Sequence, residues 1–185
     1  MSERIEFLCS GFGGQGVIRT GQIAGQAAVE AGLHTSMLIS HGTETRGGYV
    51  RSQVIISDDP IASPVVEHPN YFLALSQAAW DRFGGLCQPF SCVLHNPEKV
   101  AIPENADVQK FAIQAEQEAA RRFGDPLFAN TLWVGIFSAL LGPLITEAHF
   151  EKVIRMRTTR NIEENVAAFY HGRALFESRW RSYKP

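Results

Sequence analysis

Three shortages narrow what this 185-residue chain can do before any motif is considered. Cysteine is scarce. Cys9, Cys87 and Cys92 form no CxxC pair and no even-numbered framework, so nothing points to a disulfide scaffold or an oxidising compartment. A surplus of one charge is missing too: 17 Lys plus Arg stand against 19 Asp plus Glu, and no basic run exceeds two residues. That balance gives little attraction for a polyphosphate backbone and argues against nucleic acid as a partner. Long apolar runs are the third absence. The longest, Leu132 to Ile145, is interrupted by Gly135, Ser138, Gly142 and Pro143, whereas a membrane span needs about 20 residues. The opening segment MSERIEFLCSG lacks the cationic start and apolar stretch of a secretory signal. Cytoplasmic location without a membrane partner is therefore the expectation. With 45% hydrophobic and 19% charged residues, the composition suits a folded domain that buries roughly 70% of its extended surface. Without repeats or a Pro/Ser-rich linker, a single domain over residues 1–185 is expected.

What is present is an alternation of strand and helix signals. Ile5 to Cys9 is a short apolar run that ends in Gly11-Phe12-Gly13-Gly14-Gln15-Gly16, after which Val17, Gly21, Ala24, Ala28 and Ala31 recur at three- and four-residue spacing. This predicts strand, tight loop and helix, with a helix face small enough to lie close to a sheet and Gly32 as its stop. His34 to Ser40 is expected to return as a second strand and complete a right-handed βαβ unit. Tyr49 to Ser57 alternates with period two, so a strand with one wetter face is expected. Asp58-Asp59-Pro60 marks a turn, and Ile61 to Pro64 is too proline-bound for a central strand. Further strands are predicted at Tyr71–Leu75 and Cys92–His95, and helices at Gln77–Phe83, Gln114–Phe123 and Asn130–Leu141, with amphipathic helix from Thr146 onward. Val108 to Ile113 fits either a helix extension or a strand. The overall expectation is an α/β class: a mainly parallel or mixed sheet followed by a helical tail.

Candidate chemistry concentrates in two loops. Gly11, Gly13 and Gly16 satisfy GxGxxG directly after a strand and before a helix, where glycines admit a pyrophosphate and the helix start offers unpaired N–H groups. An NAD(P) or flavin fold also requires an acidic residue at the end of the second strand to hold the ribose. That place holds Ser40 and His41, so a phosphate-bearing ligand and a merely close-packed turn both remain open. The second loop, Glu44-Thr45-Arg46-Gly47-Gly48, should emerge nearby at the carboxyl edge of the sheet. Arg46 there suits a phosphate or carboxylate, or else pairs with Glu44. No metal site is expected, because the six histidines share no HxxxH spacing. Cys87 and Cys92, separated by four residues, are read as core rather than cluster ligands. No catalytic constellation assembles from this chain.

The order of motifs is more specific than any one of them. Gly11-Phe-Gly-Gly-Gln-Gly16, Gly42-Thr-Glu-Thr-Arg-Gly-Gly48, Ser52-Gln-Val-Ile-Ile-Ser57, Pro60-Ile-Ala-Ser-Pro64 and Leu73-Ala-Leu-Ser76 appear in sequence. Asn96, the Gly124-Asp-Pro126 to Asn130 stretch, Gly135 and Asn165-Val-Ala-Ala-Phe-Tyr-His-Gly172 then follow. This series resembles the gamma subunit of 2-oxoacid:ferredoxin oxidoreductases over nearly the whole chain. The resemblance implies a three-layer α/β/α Rossmann-like domain with a mixed, mainly parallel sheet and a helical C-terminal part. It implies a subunit, inactive alone, of an EC 1.2.7 type enzyme that decarboxylates a 2-oxoacid, forms an acyl-coenzyme A and reduces ferredoxin. Thiamine diphosphate and iron–sulfur clusters would be held by partner alpha, beta or ferredoxin-like delta subunits. Coenzyme A would be the ligand of Gly11, Gly13, Gly14, Gln15, Gly16, Glu44, Arg46, Gly47 and Gly48. Pyruvate, 2-oxoglutarate and ketoisovalerate are all substrates within the family, with the 2-oxoglutarate and branched-chain types favoured by the short chain. The competing expectations are an independent NAD(P)- or flavin-binding oxidoreductase and a structural assembly module. Residues 173 to 185, including Phe176 and Trp180, are expected to dock a partner or remain disordered.

Overall fold

The computed structural model describes residues 4–42 and 48–180. In chain order the elements are β1 (Arg4–Phe12), α1 (Val17–Glu30), β2 (His34–His41), β3 (Tyr49–Ser57), β4 (Tyr71–Ala74), α2 (Gln77–Phe83), β5 (Cys92–His95), β6 (Gln109–Ala112), α3 (Ala115–Phe123), α4 (Ala129–Leu140), α5 (Glu147–Arg157) and α6 (Ile162–Trp180). The six strands form one sheet in the order β2-β3-β1-β4-β5-β6. β1, β4, β5 and β6 run parallel to one another. β3 is antiparallel to both β1 and β2, so the sheet is mixed and mainly parallel. Val108 to Ile113, ambiguous by pattern, contains a strand because Gln109–Ala112 pairs with β5.

One expectation needs correction. β1, α1 and β2 follow one another as strand, helix and strand, but β2 does not pair with β1, because β3 lies between them. The physical reason is in β3, which is apolar on both faces. Val50, Val54 and Ile56 join one core while Ile55 joins the other. Such a strand is most stabilised inside a sheet, whereas β2 is only half-buried and takes the edge. For the same reason the wetter face expected of β3 is not wet: Gln53 is 1% exposed, and its side-chain oxygen accepts the Val66 N–H at 3.1 Å.

The two faces of the sheet are covered unequally. α1, α3, α4, α5 and α6 build the larger core on one side. On the other, α2 and irregular chain carrying Val66 and Val100 close a smaller core. α4 is apolar nearly all round because it is a central layer: Phe137 stacks on Phe7 with ring centroids 4.1 Å apart, while its opposite side meets α6. That α4–α6 contact is made at backbone distance. A Cβ on Gly135 would lie 2.0 Å from the Phe169 carbonyl oxygen, and one on Gly172 would lie 2.1 Å from the Leu132 carbonyl oxygen. Of the two expectations for the tail, docking or disorder, disorder is corrected for residues 173–180. They continue α6, where Phe176 is buried and Trp180 meets Phe111 edge-on at 4.9 Å, since aromatic burial against β6 holds the last turns down. Residues 181–185 of that tail lie outside the described residues.

Gly135→Ala should therefore lower stability by at least about 1–3 kcal/mol, the range for overpacking a close contact. Gly85→Ala, where a Cβ meets nothing within 4 Å, should leave the denaturation midpoint nearly unchanged. Equal midpoints for the two variants in urea would contradict the close-contact assignment.

Candidate functional site

β1, β2, β4, β5 and β6 all end at the same edge of the sheet, and the glycine loop leaves β1 there. Its glycines do different things. Gly11 is buried, and a Cβ there would come within 2.5 Å of Gln15 Oε1 and 2.8 Å of Leu75 Cβ. Gly16 is the N-cap of α1 with φ 78°, and its Cα sits so close to Asn130 that a Cβ would lie 2.3 Å from the amide carbon. Any other residue there would be strained by both backbone and neighbour. Only Gly13 and Gly14 are exposed, with nothing within 4 Å of an added Cβ.

Gln15 braces the turn from within. Its Oε1 accepts the Phe12 N–H at 2.6 Å, and its Nε2 donates to the Leu75 carbonyl at 3.0 Å. Leu75 N–H in turn donates to the Ser10 carbonyl at 2.9 Å. The loop is thus tied to the end of β4 as well as to its own strand, and its outer glycines are held in place.

A cavity of about 410 Å³ lies over this loop, lined by Phe12, Gly13, Gly14, Arg19, His41 and Val50 among others. His41, the last residue of β2, is thereby brought beside the glycine turn. The first turn of α1 carries no side-chain cap and no acidic residue, so its leading N–H groups and partial positive charge face the loop uncompensated. Of the candidates in the second loop, Glu44, Arg46 and Gly47 lie outside the described residues. Gly48 is half-buried just before β3, where Gly42 N–H donates to the Tyr49 carbonyl at 2.8 Å to close the β2–β3 connection.

Arg19 is the residue that sequence reasoning missed. Its terminal nitrogen donates to Thr158 Oγ1 at 2.8 Å and to Asn165 Oδ1 at 3.5 Å, while its buried Nε has no partner among the described residues. Asn165 also accepts from Thr131 Oγ1 at 2.7 Å, which links α1, α4 and α6 beneath the cavity. The available signal was its place three residues after the last loop glycine. The ribose-holding carboxylate of a dinucleotide fold is not supplied from α1 either. Glu30 is ion-paired with Lys152 on α5.

The thiols are placed as core groups. Cys9 and Cys92 are buried, and burial pushes the Cys9 thiol up. Cys87 is half-buried, and burial pushes it up to about 11, the Ser91 contact offsetting only part of this. Among the described residues no group of three or more His, Cys, Asp or Glu side chains could hold a metal ion, and no helix is long and apolar enough to cross a membrane.

The model of the pyruvate ferredoxin/flavodoxin oxidoreductase family matches residues 6–175. The chain belongs to that family. Within it, the chain is similar to 2-oxoglutarate synthase subunit KorC of Archaeoglobus fulgidus, 33% identical over all 185 residues and 93% of that protein. KorC of Methanocaldococcus jannaschii is 34% identical over 91% of this chain and 92% of its own length. Ketoisovalerate oxidoreductase subunit VorA of Methanothermobacter marburgensis is 33% identical over 79% of this chain but only 30% of that longer protein. The keto/oxoacid ferredoxin oxidoreductase gamma subunit from Geobacter sulfurreducens has the same fold, with a TM-score of 0.78, 29% identity, and 91% of this chain and 95% of that one covered. The 2-oxoglutarate:ferredoxin oxidoreductase from Magnetococcus marinus, with 2-oxoglutarate, coenzyme A and succinyl-CoA bound, superposes with a TM-score of 0.83 over 95% of this chain and 31% of that one. At 22% identity that likeness is one of fold. The chain is a gamma-type member of this family of oxidoreductase subunits.

Two outcomes follow from the site's construction. Gln15→Ala should cost about 1–3 kcal/mol through two lost hydrogen bonds and should speed hydrogen exchange at the Phe12 amide; an unchanged exchange rate would remove Gln15 as the brace. Because a raised pKa keeps Cys87 protonated, its reaction with a disulfide reagent at pH 8 should be on the order of 100-fold slower than that of a free thiol and should accelerate as pH rises toward 11. A fast reaction at pH 8 would contradict this.

Proposed function

We propose that this chain is the gamma subunit of a thiamine diphosphate-dependent 2-oxoglutarate:ferredoxin oxidoreductase, and that its glycine loop receives the diphosphate of coenzyme A. The full-length similarity to KorC subunits carries the substrate assignment. The cavity over Gly13 and Gly14, at the uncapped start of α1, carries the ligand assignment.

In this reading residues 1–185 act as one gamma domain beside alpha and beta subunits and a ferredoxin-like delta subunit, in the cytoplasm. The complex takes a 2-oxoacid and coenzyme A to an acyl-coenzyme A and CO₂, and two electrons leave through iron–sulfur clusters to ferredoxin. Thiamine diphosphate and the clusters sit on the partners. The chain's own residues bind and orient. Gly13 and Gly14 let a diphosphate approach the backbone, the leading N–H groups of α1 point toward it, and Arg19 adds positive charge from below. Arg46, with Glu44, Gly47 and Gly48, is taken from the sequence as a second set of phosphate contacts; of these, Glu44, Arg46 and Gly47 lie outside the described residues. A diphosphate fixed in this way tethers coenzyme A while its thiol end reaches a partner subunit, so the gamma chain contributes proximity rather than bond making.

An independent NAD(P)- or flavin-binding role has less support. β2 ends in Ser40 and His41, and Glu30 is engaged by Lys152. A purely structural role predicts no ligand affinity, which the following test measures.

In the assembled complex, Gly13→Asp places a negative charge in the cavity at a position with room for a side chain. The KM for coenzyme A should rise at least tenfold, with Arg46→Ala acting in the same direction, while decarboxylation measured without coenzyme A persists. A KM unchanged by both substitutions would overturn coenzyme A binding at this loop.

A further inference from the structure

The two edges of the sheet are built differently. β6 spans four residues, and its Lys110 donates to the Pro103 and Glu104 carbonyls, which ties irregular chain to that edge. β2 spans eight, pairs with β3 in an unbroken register, and has no strand on its other side among the described residues. Its sequence, His34-Thr-Ser-Met-Leu-Ile-Ser-His41, contains no Lys, Arg, Asp, Glu or Pro. Those residues, with bulges, are the devices by which exposed edges ordinarily refuse another strand. Ile39 stands 37% exposed on this unguarded edge.

The register identifies the groups that a further strand would meet. Gly42 N–H donates to the Tyr49 carbonyl at 2.8 Å, and the β2–β3 register runs on from that pair, with His41 opposite Val50 through to His34 opposite Ser57. Hydrogen-bonded pairs alternate along an antiparallel ladder, so His34, Ser36, Leu38 and Ser40 bond to β3, while Thr35, Met37, Ile39 and His41 turn their N–H and C=O groups outward. These four also share the sheet face that α1 covers. A Cβ added to Gly21 would lie 3.0 Å from Met37 Cε, and one on Gly25 would lie 3.2 Å from Thr35 Cγ2. Beside them a groove of about 360 Å³ opens between α1 and β2, lined by Gln26, Val29, Thr35 and Met37 among others, and Val29 is 56% exposed.

We infer that this edge pairs with the same edge of a second copy of the chain, β2 against β2 about a two-fold axis, which joins two six-stranded sheets into one. Three features select a second copy as the occupant. A two-fold axis through Leu38 sets Thr35 opposite His41 and Met37 opposite Ile39 in both halves, so all four outward residues meet outward residues and every free N–H and C=O finds a partner. On the α1 face, the exposed Ile39 of each copy then lies against Met37 of the other, beside the groove. On the opposite face Leu38 meets Leu38 and Ser36 meets Ser40, and no Lys, Arg, Asp or Glu of either strand is set against its like. The inference is independent of the function proposed above.

Sedimentation velocity on the full chain at high micromolar concentration should show a species of twice the 20.5 kDa chain mass. Ile39→Pro removes an outward N–H that β3 does not use, and Ile39→Lys places a charge at the same exposed position. Each should weaken the dimer at least about tenfold, the effect of lost hydrogen bonds or a lost apolar contact, while the urea midpoint of the monomer stays nearly unchanged. Cysteine variants read the register. Leu38→Cys should form an intermolecular disulfide on mild oxidation, because opposed residues of a non-hydrogen-bonded pair have Cα atoms about 4.5 Å apart. Ser36→Cys should not, since its two copies would lie about 14 Å apart along the strands. A chain that stays monomeric overturns the inference. So does a dimer unaffected by Ile39→Lys, or cross-linking of Ser36→Cys as ready as that of Leu38→Cys.

Discussion

The closeness with which α1 can lie against the sheet governs the rest of this structure. At Gly21 an added Cβ would fall 2.0 Å from Ser52 Oγ on β3, and at Gly25 it would fall 3.2 Å from Thr35 Cγ2 on β2. At the start of the helix, Gly16 meets Asn130 of α4 just as closely. These contacts set the helix depth over β2 and β3, and thereby fix where its first turn opens beside the end of β1. With α1 displaced outward by a side chain, the glycine turn, Arg19 and the α4–α6 pair beneath it would lose their common register. Dense interiors transmit such changes because they have few voids in which to absorb them.

Much of the architecture was legible in the sequence because period and punctuation report local structure directly. The strand Cys92–His95 was readable to the residue and the helix from Gln77 to about Phe83 closely so, and the small face of α1 was visible in Gly21, Gly25 and the alanines. Strand neighbours were not legible. Period two in Tyr49–Ser57 says which residues share a face, but it does not say that the strand separates β1 from β2. The burial of Gln53 was hidden as well, since its partner, the Val66 N–H, belongs to irregular chain. Arg19 could not be found by pattern, because its partners Thr158 and Asn165 lie far along the chain. Gly135 and Gly172 were visible as landmarks, but their use as a backbone-to-backbone helix contact was not.

The glycine-rich fingerprint is a composite of two demands. Gly11 and Gly16 satisfy packing, and Gln15 ties the turn to β1 and β4, so these three hold the loop whether or not anything binds. Gly14 takes a φ of 90° that the turn requires of a glycine, but neither Gly13 nor Gly14 packs against a neighbour, and they present bare backbone to the cavities beside the loop. This division leaves room for both readings of the motif, since the residues that pack the turn differ from those proposed to cradle a phosphate. It also fits the proposed role of a subunit that positions a substrate: a rigid edge with backbone donors and positive charge.

The most direct measurement is reconstitution under anaerobic conditions. The partner subunits, purified with and without this chain, are supplied with 2-oxoglutarate and coenzyme A, and reduction of a viologen dye and formation of succinyl-coenzyme A are followed. The expected result is that the chain co-purifies with cluster-bearing, thiamine diphosphate-containing partners and that acyl-coenzyme A formation depends on its presence. Full acyl-coenzyme A formation without the chain, or a chain that elutes alone and joins no such complex, would contradict its role as the coenzyme A-binding gamma subunit.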